Sequence, residues 1–159
     1  MHIRAFCAED ASFLARIFYD SIHIGAAGAY DPEARRAWCP KVPEGPAWAK
    51  RLGGAITFVA ENLGQPVGFM SLLPEGGHID LAFVDPAHTR QGIASALCRR
   101  VETQAKALGL DRLTTDASLQ AEPMFASQGW SVVKRQKIER RGVILRNCRM
   151  EKIGIQVAQ

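Results

Sequence analysis

Two short stretches of this chain carry residue types that do chemistry. The first is His78-Ile79-Asp80, an imidazole and a carboxylate two positions apart. In an extended segment a period of two sets both side chains on one face, together with those of Ala82 and Val84. A group so placed can take a proton directly or through a water. The second stretch is Thr89-Arg90-Gln91-Gly92-Ile93-Ala94-Ser95, between an alternating apolar run and a long helical pattern. The first N–H groups of a helix have no partner within it, and the dipole adds about half a positive charge at that end. A diphosphate can rest there on backbone alone, provided that small residues stand where oxygen meets main chain. Gly92 and Ala94 meet that condition, Ser95 follows, and Pro86 turns the chain out of the preceding strand. The stretch fits neither G-x-x-x-x-G-K nor G-x-G-x-x-G.

The elements that must position these groups follow from periodicity. "IRAF" reads as a short strand. Asp10-Ala11-Ser12 caps a helix with apolar positions Phe13, Leu14, Ile17, Phe18 and Ile22, closed by Gly25 and Gly28. Asp31 and Pro32 open a second helix that stops before Pro40, and a third ends at Gly53-Gly54. "AITFVAE", "PVGFMSLLP" and "HIDLAFVDP" alternate between turns and predict an antiparallel meander. The helix over 93–108 has an expected buried stripe of Ala94, Leu97, Cys98, Val101, Ala105 and Leu108, with Arg99, Arg100, Glu102 and Lys106 facing water. "DRLTTD" is a strand after a helix, hence a parallel pair. A short helix in "AEPMFASQGW" and a closing hairpin complete a mixed α/β (α+β) sheet. The sheet is expected to be mostly antiparallel, with one parallel strand pair and helices on both faces.

Composition narrows the function classes. The 159 residues fit one domain over 1–159, with a core large enough to need no staple. Cys7, Cys39, Cys98 and Cys148 lack zinc or redox spacing, and no metal is expected. Reduced thiols suit the cytoplasm. No signal peptide or membrane-length apolar run is present, so no membrane partner is expected. The net charge is +4, and Lys134, Arg135, Lys137, Arg140, Arg141, Arg146, Arg149 and Lys152 carry much of it. These cations alternate with apolar residues and read as the solvated face of a strand. They lack interleaved exposed aromatics, which argues against nucleic acid.

"FVDPAHTRQGIASALCRRVETQAKALGLDRLTTDAS", followed by "PMFASQGWSVV", resembles the acyl-CoA-binding core of the GNAT N-acetyltransferase superfamily. That family's loop, Gln/Arg-x-x-Gly-x-Gly/Ala, falls on Thr89 to Ala94, with Thr89 where Gln or Arg is usual and Arg90 one place later. "SIHIGAAGAYDPEARRAW" and "ERRGVILRNCRMEK" also resemble a bacterial branch whose substrates are mostly unknown. The resemblance implies a GNAT-like acyl-CoA N-acyltransferase fold and acetyl transfer from acetyl-CoA to an amine of a small molecule or peptide. By it, backbone amides of Arg90, Gln91, Gly92, Ile93, Ala94 and Ser95 hold the pyrophosphate. The main chain of Ala82, Phe83 and Val84 pairs with the pantetheine arm as an added strand, which needs a locally splayed sheet. Ser118 falls where the family often has asparagine. Phe125 falls at the coenzyme-side position of a proton-donating tyrosine, and phenylalanine cannot donate.

Direct attack on a thioester requires a neutral amine. An amine of pKa about 10.4 is neutral in about one molecule in 2,500 at pH 7, a cost of about 4.6 kcal/mol that a base removes. His78 and Asp80 are the candidate bases, and Glu61 is a third. The thiolate, of pKa about 8.5, leaves with less need of an acid. A backbone N–H near Ala82 to Val84 is a candidate for the oxyanion. Tyr30, Trp38 and His23 are the candidate acceptor-binding residues. Two alternatives stay open: an acetyl-CoA-binding sensor of the same fold without turnover, favoured by Phe125, and assembly as a homodimer.

Overall fold

The computed structural model describes residues 1–157. Strands β1 (His2–Ala5), β2 (Ile56–Asn62), β3 (Gln65–Leu73), β4 (His78–Val84), β5 (Arg112–Ser118), β6 (Ser131–Arg140) and β7 (Val143–Ile153) form one sheet in the order β1-β2-β3-β4-β5-β7-β6. The helices are α1 (Ala11–Asp20), α2 (Pro32–Trp38), α3 (Gly45–Gly53), α4 (Ile93–Ala107) and α5 (Glu122–Ser127). Neighbouring strands are antiparallel except β4 and β5, which are parallel, as a strand-helix-strand crossover through α4 demands.

Each face of the sheet buries its own core. Leu97, Val101 and Ala105 of α4 pack with Val67, Met70 and Leu113 on one side. On the other, Leu14 and Ile22 meet Leu52, Val59, Phe69 and Leu81 beneath the N-terminal helices. Trp48 Nε1 donates to the Ala11 carbonyl at 2.8 Å and ties α3 to α1. The expected caps hold at α2, where Asp31 accepts from Ala34 N–H. Beyond Asp20 the chain continues as a π-helical turn, Ser21–Gly25, and so closes at Gly25 as expected. Its wider turn brings Ile24 and Gly25 to the large cavity described below.

Helix α4 departs from its expected division of buried and exposed positions at four residues, the first being Ala94, which is only half-buried and lines the large cavity. Leu108 is 47% exposed, because the helix ends at Ala107 and Leu108 belongs to the following turn; Ile93 takes the buried role instead, at 4%. Arg100 lies over the Phe58 ring, 4.2 Å from its centroid, rather than in open water. Glu102 turns inward too. It accepts from Lys152 Nζ and from Trp130 Nε1 (3.2 Å), and Cys98 Sγ reaches it at 3.1 Å. The Lys152 and Glu102 side chains are only 16% and 15% exposed. Glu102→Ala strands an ammonium and an indole N–H in the interior. The expected loss is about 2 kcal/mol. At this chain length that lowers Tm by about 4–8 °C in a calorimetric scan.

Candidate active site

A bulge shapes the centre of the sheet. Leu81 pairs with Ser71 and Ile79 with Leu72, so Asp80 has no partner on β3. One inserted residue reverses the alternation of side chains. Ile79, Ala82 and Val84 therefore pack toward α4, while Leu81 and Phe83 pack toward the N-terminal helices. This corrects the expectation that His78 and Asp80 share a face with Ala82 and Val84. His78 and Asp80 open instead into a different cavity, with Leu81 and Phe83.

The bulge also marks where β4 and β5 part. They pair only at His78↔Thr114 and Ile79↔Thr115, although both strands continue. Asp85 N–H donates to the Val67 carbonyl. By the alternation of an antiparallel ladder, Phe83 and Leu81 then turn their backbone groups toward β3. Ala82 and Val84 turn theirs into the opening, where no described residue meets them. The opening is the mouth of a cavity of about 760 Å³. Ala82, Phe83 and Val84 form one wall, Ser118 and Gln120 another, and the start of α4 the floor.

That floor suits a diphosphate. Gly92 is the residue preceding the helix, at φ +76°, and no side chain caps the amides that follow. The first intrahelical bond there is Ala96 N–H to the Gly92 carbonyl, which leaves the N–H groups of Ile93, Ala94 and Ser95 free. A Cβ on Gly92 would meet no protein atom within 4 Å; it would project into open space. Arg90, which also lines the cavity, holds φ +62°, a sparsely populated conformation for a residue with a side chain. Gln91 is exposed and does not line the cavity.

The second cavity, of about 440 Å³, holds His78, Asp80, Tyr30 and Asp116. Trp38, Phe83 and Ser118 line both cavities, so the two meet at the split between β4 and β5. His78 Nδ1 lies 2.8 Å from Thr114 Oγ1, and Nε2 lies 3.8 Å from Asp116 Oδ2. Burial lowers the His78 pKa from its ordinary value of 6.5, against the pull of Asp116. The imidazole is thus neutral at pH 7, and its approach to Asp116 is not an ion pair there. Asp80 is held at both oxygens by Arg51, at 2.9 and 3.1 Å. Burial works to raise the Asp116 carboxyl, but Arg149 (2.7 and 3.2 Å) and Gln136 (2.9 Å) hold it below the usual range. The β4–β5 parallel pairing is the signal that places Thr114 and Asp116 beside His78, since alternate residues of paired strands share a face.

The remaining expected residues divide. Trp38 and Tyr30 line the second cavity, with rings 5.3 Å apart edge to face. The Tyr30 hydroxyl donates to the Arg146 carbonyl and accepts from Leu119 N–H, and burial raises its pKa. Its proton is committed to the backbone. His23 lines neither cavity; it stacks on Tyr19 and its Nε2 faces the Cys39 carbonyl at 2.6 Å. Glu61 sits away from the site, with Arg4 at 2.9 Å. Ser118 Oγ accepts from Ala121 N–H at 3.0 Å, which leaves the hydroxyl hydrogen free to donate. Phe125 is 1% exposed and packs edge to face on Trp130 at 4.9 Å, outside both cavities. This corrects its placement against the coenzyme: Pro123 and Met124, not Phe125, face the large cavity. Phe125→Tyr therefore buries a hydroxyl against the core. The expected result is a loss of about 1–3 kcal/mol in stability, seen in denaturant unfolding, with no gain in turnover.

Residues 26–152 match the family model described as an acetyltransferase (GNAT) domain. The chain is 34% identical over 151 residues to the uncharacterized N-acetyltransferase YafP of Escherichia coli, covering 94% of each. Its fold superposes with TM-score 0.90 and 35% identity on the crystal structure of a GCN5-related N-acetyltransferase from Rhodopseudomonas palustris, over 96% of this chain and 94% of that one. At 18% identity it shares the fold of a phosphinothricin acetyltransferase from Sinorhizobium meliloti solved with acetyl-CoA, with TM-score 0.75 over 99% of this chain and 91% of that one. Among the described residues no helix is long and apolar enough to cross a membrane, and no three His, Cys, Asp or Glu residues cluster to hold a metal.

Proposed function

The chain belongs to the GNAT acetyltransferase family, and from that premise we propose that it moves an acetyl group from acetyl-CoA to an amine of a small molecule or peptide by direct attack. The observation that carries the proposal is the meeting of two cavities at Phe83 and Ser118, one floored by free helix-start amides and the other holding a neutral imidazole. Acetyl-CoA supplies the activated acyl group when bound. The amides of Ile93, Ala94 and Ser95 hold the pyrophosphate, with Gly92 and Arg90 completing the loop. Ala82 and Val84 offer their N–H and C=O groups to the pantetheine arm as a neighbouring strand would. An N–H of that free edge also faces the charge that grows on the thioester oxygen.

His78 is the general base of this reading. With Nδ1–H donated to Thr114 Oγ1, Nε2 keeps its lone pair for the amine proton. Asp80, with both oxygens taken by Arg51, serves by charge rather than by proton transfer. Ser118 donates a hydrogen bond to the departing sulfur, whose modest basicity asks for no full proton. Two substrates held in register supply much of the rate, about 7–11 kcal/mol for good alignment. The four cysteines are free thiols, which supports a cytoplasmic setting. Val132 and Val133 stand 40% and 52% exposed on the edge strand β6, which supports a homodimer through that edge.

The test is release of free thiol when protein, acetyl-CoA and a panel of amines are mixed, beside calorimetric titration with coenzyme A. Binding with amine-dependent release is expected. Among the described residues no tyrosine lines the large cavity, which favours one second reading, a sensor that binds acetyl-CoA without turnover. Micromolar binding with no release from any amine would select it.

A further inference from the structure

We propose that the acceptor is a small amine that also carries a carboxylate, bound as a zwitterion across the second cavity. The inference rests on the acetyl-transfer reading above and narrows its substrate. Charge on the cavity wall is lopsided. It holds Arg51, Arg140, Arg141 and Arg146 against Asp80 and Asp116. Both carboxylates are already matched: Asp80 by Arg51, and Asp116 by Arg149 reaching over from β7.

Three guanidinium groups are left without an acidic partner among the described residues. Arg140 Nη1 reaches only the Glu139 carbonyl at 3.2 Å, Arg141 Nη1 only the Ala37 carbonyl at 2.6 Å, and the Arg146 side chain has no hydrogen-bond partner. All three come from the β6–β7 hairpin, whereas His78 comes from β4. The cavity therefore has a cationic end on the hairpin and a proton-accepting end at the split between the strands. A molecule that is anionic at one end and an amine at the other matches both.

The chemistry of the groups narrows the anion. A guanidinium presents a planar fork that a carboxylate accepts at two oxygens. Three such forks at one end repel each other when the cavity holds water alone, and a bound anion relieves that repulsion. A purely cationic acceptor, such as a polyamine, meets the opposite field. The cavity's 440 Å³ suits an amino-acid-sized molecule. The hairpin arginines are exposed at the rim, so their pull on the ligand is screened by salt.

The experiment pairs each common L-amino acid with its own carboxamide and follows thiol release from acetyl-CoA. The carboxamide has the less basic amine, so chemistry alone ranks it ahead. We expect the reverse for the best substrate, about a tenfold or greater advantage in kcat/KM for the free acid, shrinking as ionic strength rises. Arg146→Gln, and separately the pair Arg140→Gln and Arg141→Gln, should raise KM for that acid about tenfold and erase its advantage over the amide. Thermal shift of the coenzyme-A-loaded protein with the same acids and amides reads the anion site without turnover. Equal response to acid and amide in both measurements overturns the proposal, as does faster acetylation of spermidine or of an amidated lysine peptide. Failure to bind coenzyme A at all overturns the underlying acetyl-transfer reading instead, and calorimetry reports that outcome separately.

Discussion

Gly92→Val should reduce coenzyme A affinity by about 10²–10⁴-fold while leaving a folded protein. The reason is the position of this residue at the mouth of α4. Its φ of +76° lies in the left-handed region, where a β-branched residue is strongly disfavoured. Holding valine there costs about 1–2 kcal/mol, or a fall in Tm of about 2–8 °C. No protein atom lies within 4 Å of the added Cβ, so the fold itself does not clash with it. In the proposed reading the branched side chain instead occupies the space from which phosphate oxygens approach Ile93, Ala94 and Ser95. Hydrogen bonds to a charged acceptor are worth about 1.5–3 kcal/mol each. Loss of two gives about 3–6 kcal/mol, and 1.4 kcal/mol is tenfold. Calorimetric titration of the variant checks this, with Ser95→Ala, which keeps every amide, as the matched control. Unchanged affinity in Gly92→Val would remove the pyrophosphate from this loop.

His78→Asn should lower kcat by about 10²–10⁴-fold at pH 7, the range that a positioned base contributes. Asparagine keeps a polar atom near Thr114 Oγ1 but cannot take a proton. The wild-type pH profile carries the sharper signature. Burial holds His78 below its ordinary pKa of 6.5, so the working, neutral form is lost only as pH falls through that lowered value. The wild-type kcat/KM should therefore show an acid limb with its midpoint below 6.5, and the variant should lack it. Stability follows the same sign. The unfolded chain binds the extra proton first as pH falls below 6.5, so the His78 contribution is whole above that pH and is lost beneath it. An acid limb that survives in His78→Asn would assign the proton transfer to another group.

Much of this molecule is legible in its residues because local rules and the final fold agree. The Gly92–Ser95 loop could be found without a structure, since free amides at a helix start and small residues beside them are both local facts. The order of strands and helices, and the single parallel pair, follow from hydrophobic period and the geometry of a crossover. Elsewhere the local signal pointed the wrong way. Glu102 has the spacing of a water-facing position, yet Lys152 and Trp130 from distant segments draw it inward. Phe125 aligns with a proton donor's place, yet its ring belongs to the core beside Trp130.

What the chain determines alone is therefore the list of elements and the free amides at the start of α4, because each depends on residues adjacent in sequence. What the tertiary structure decided is which way the chemistry faces. Period two sends His78 and Asp80 to the side of Ala82 and Val84; the single unpaired residue opposite β3 turns them to the other side. The same applies to the hairpin arginines. Alternation marks them as a solvated strand face, and only the placing of the β6–β7 hairpin across β5 from β4 makes three of them the wall of a cavity. A bulge and a charge surplus arise from pairings between distant segments, and no window of neighbouring residues contains both partners.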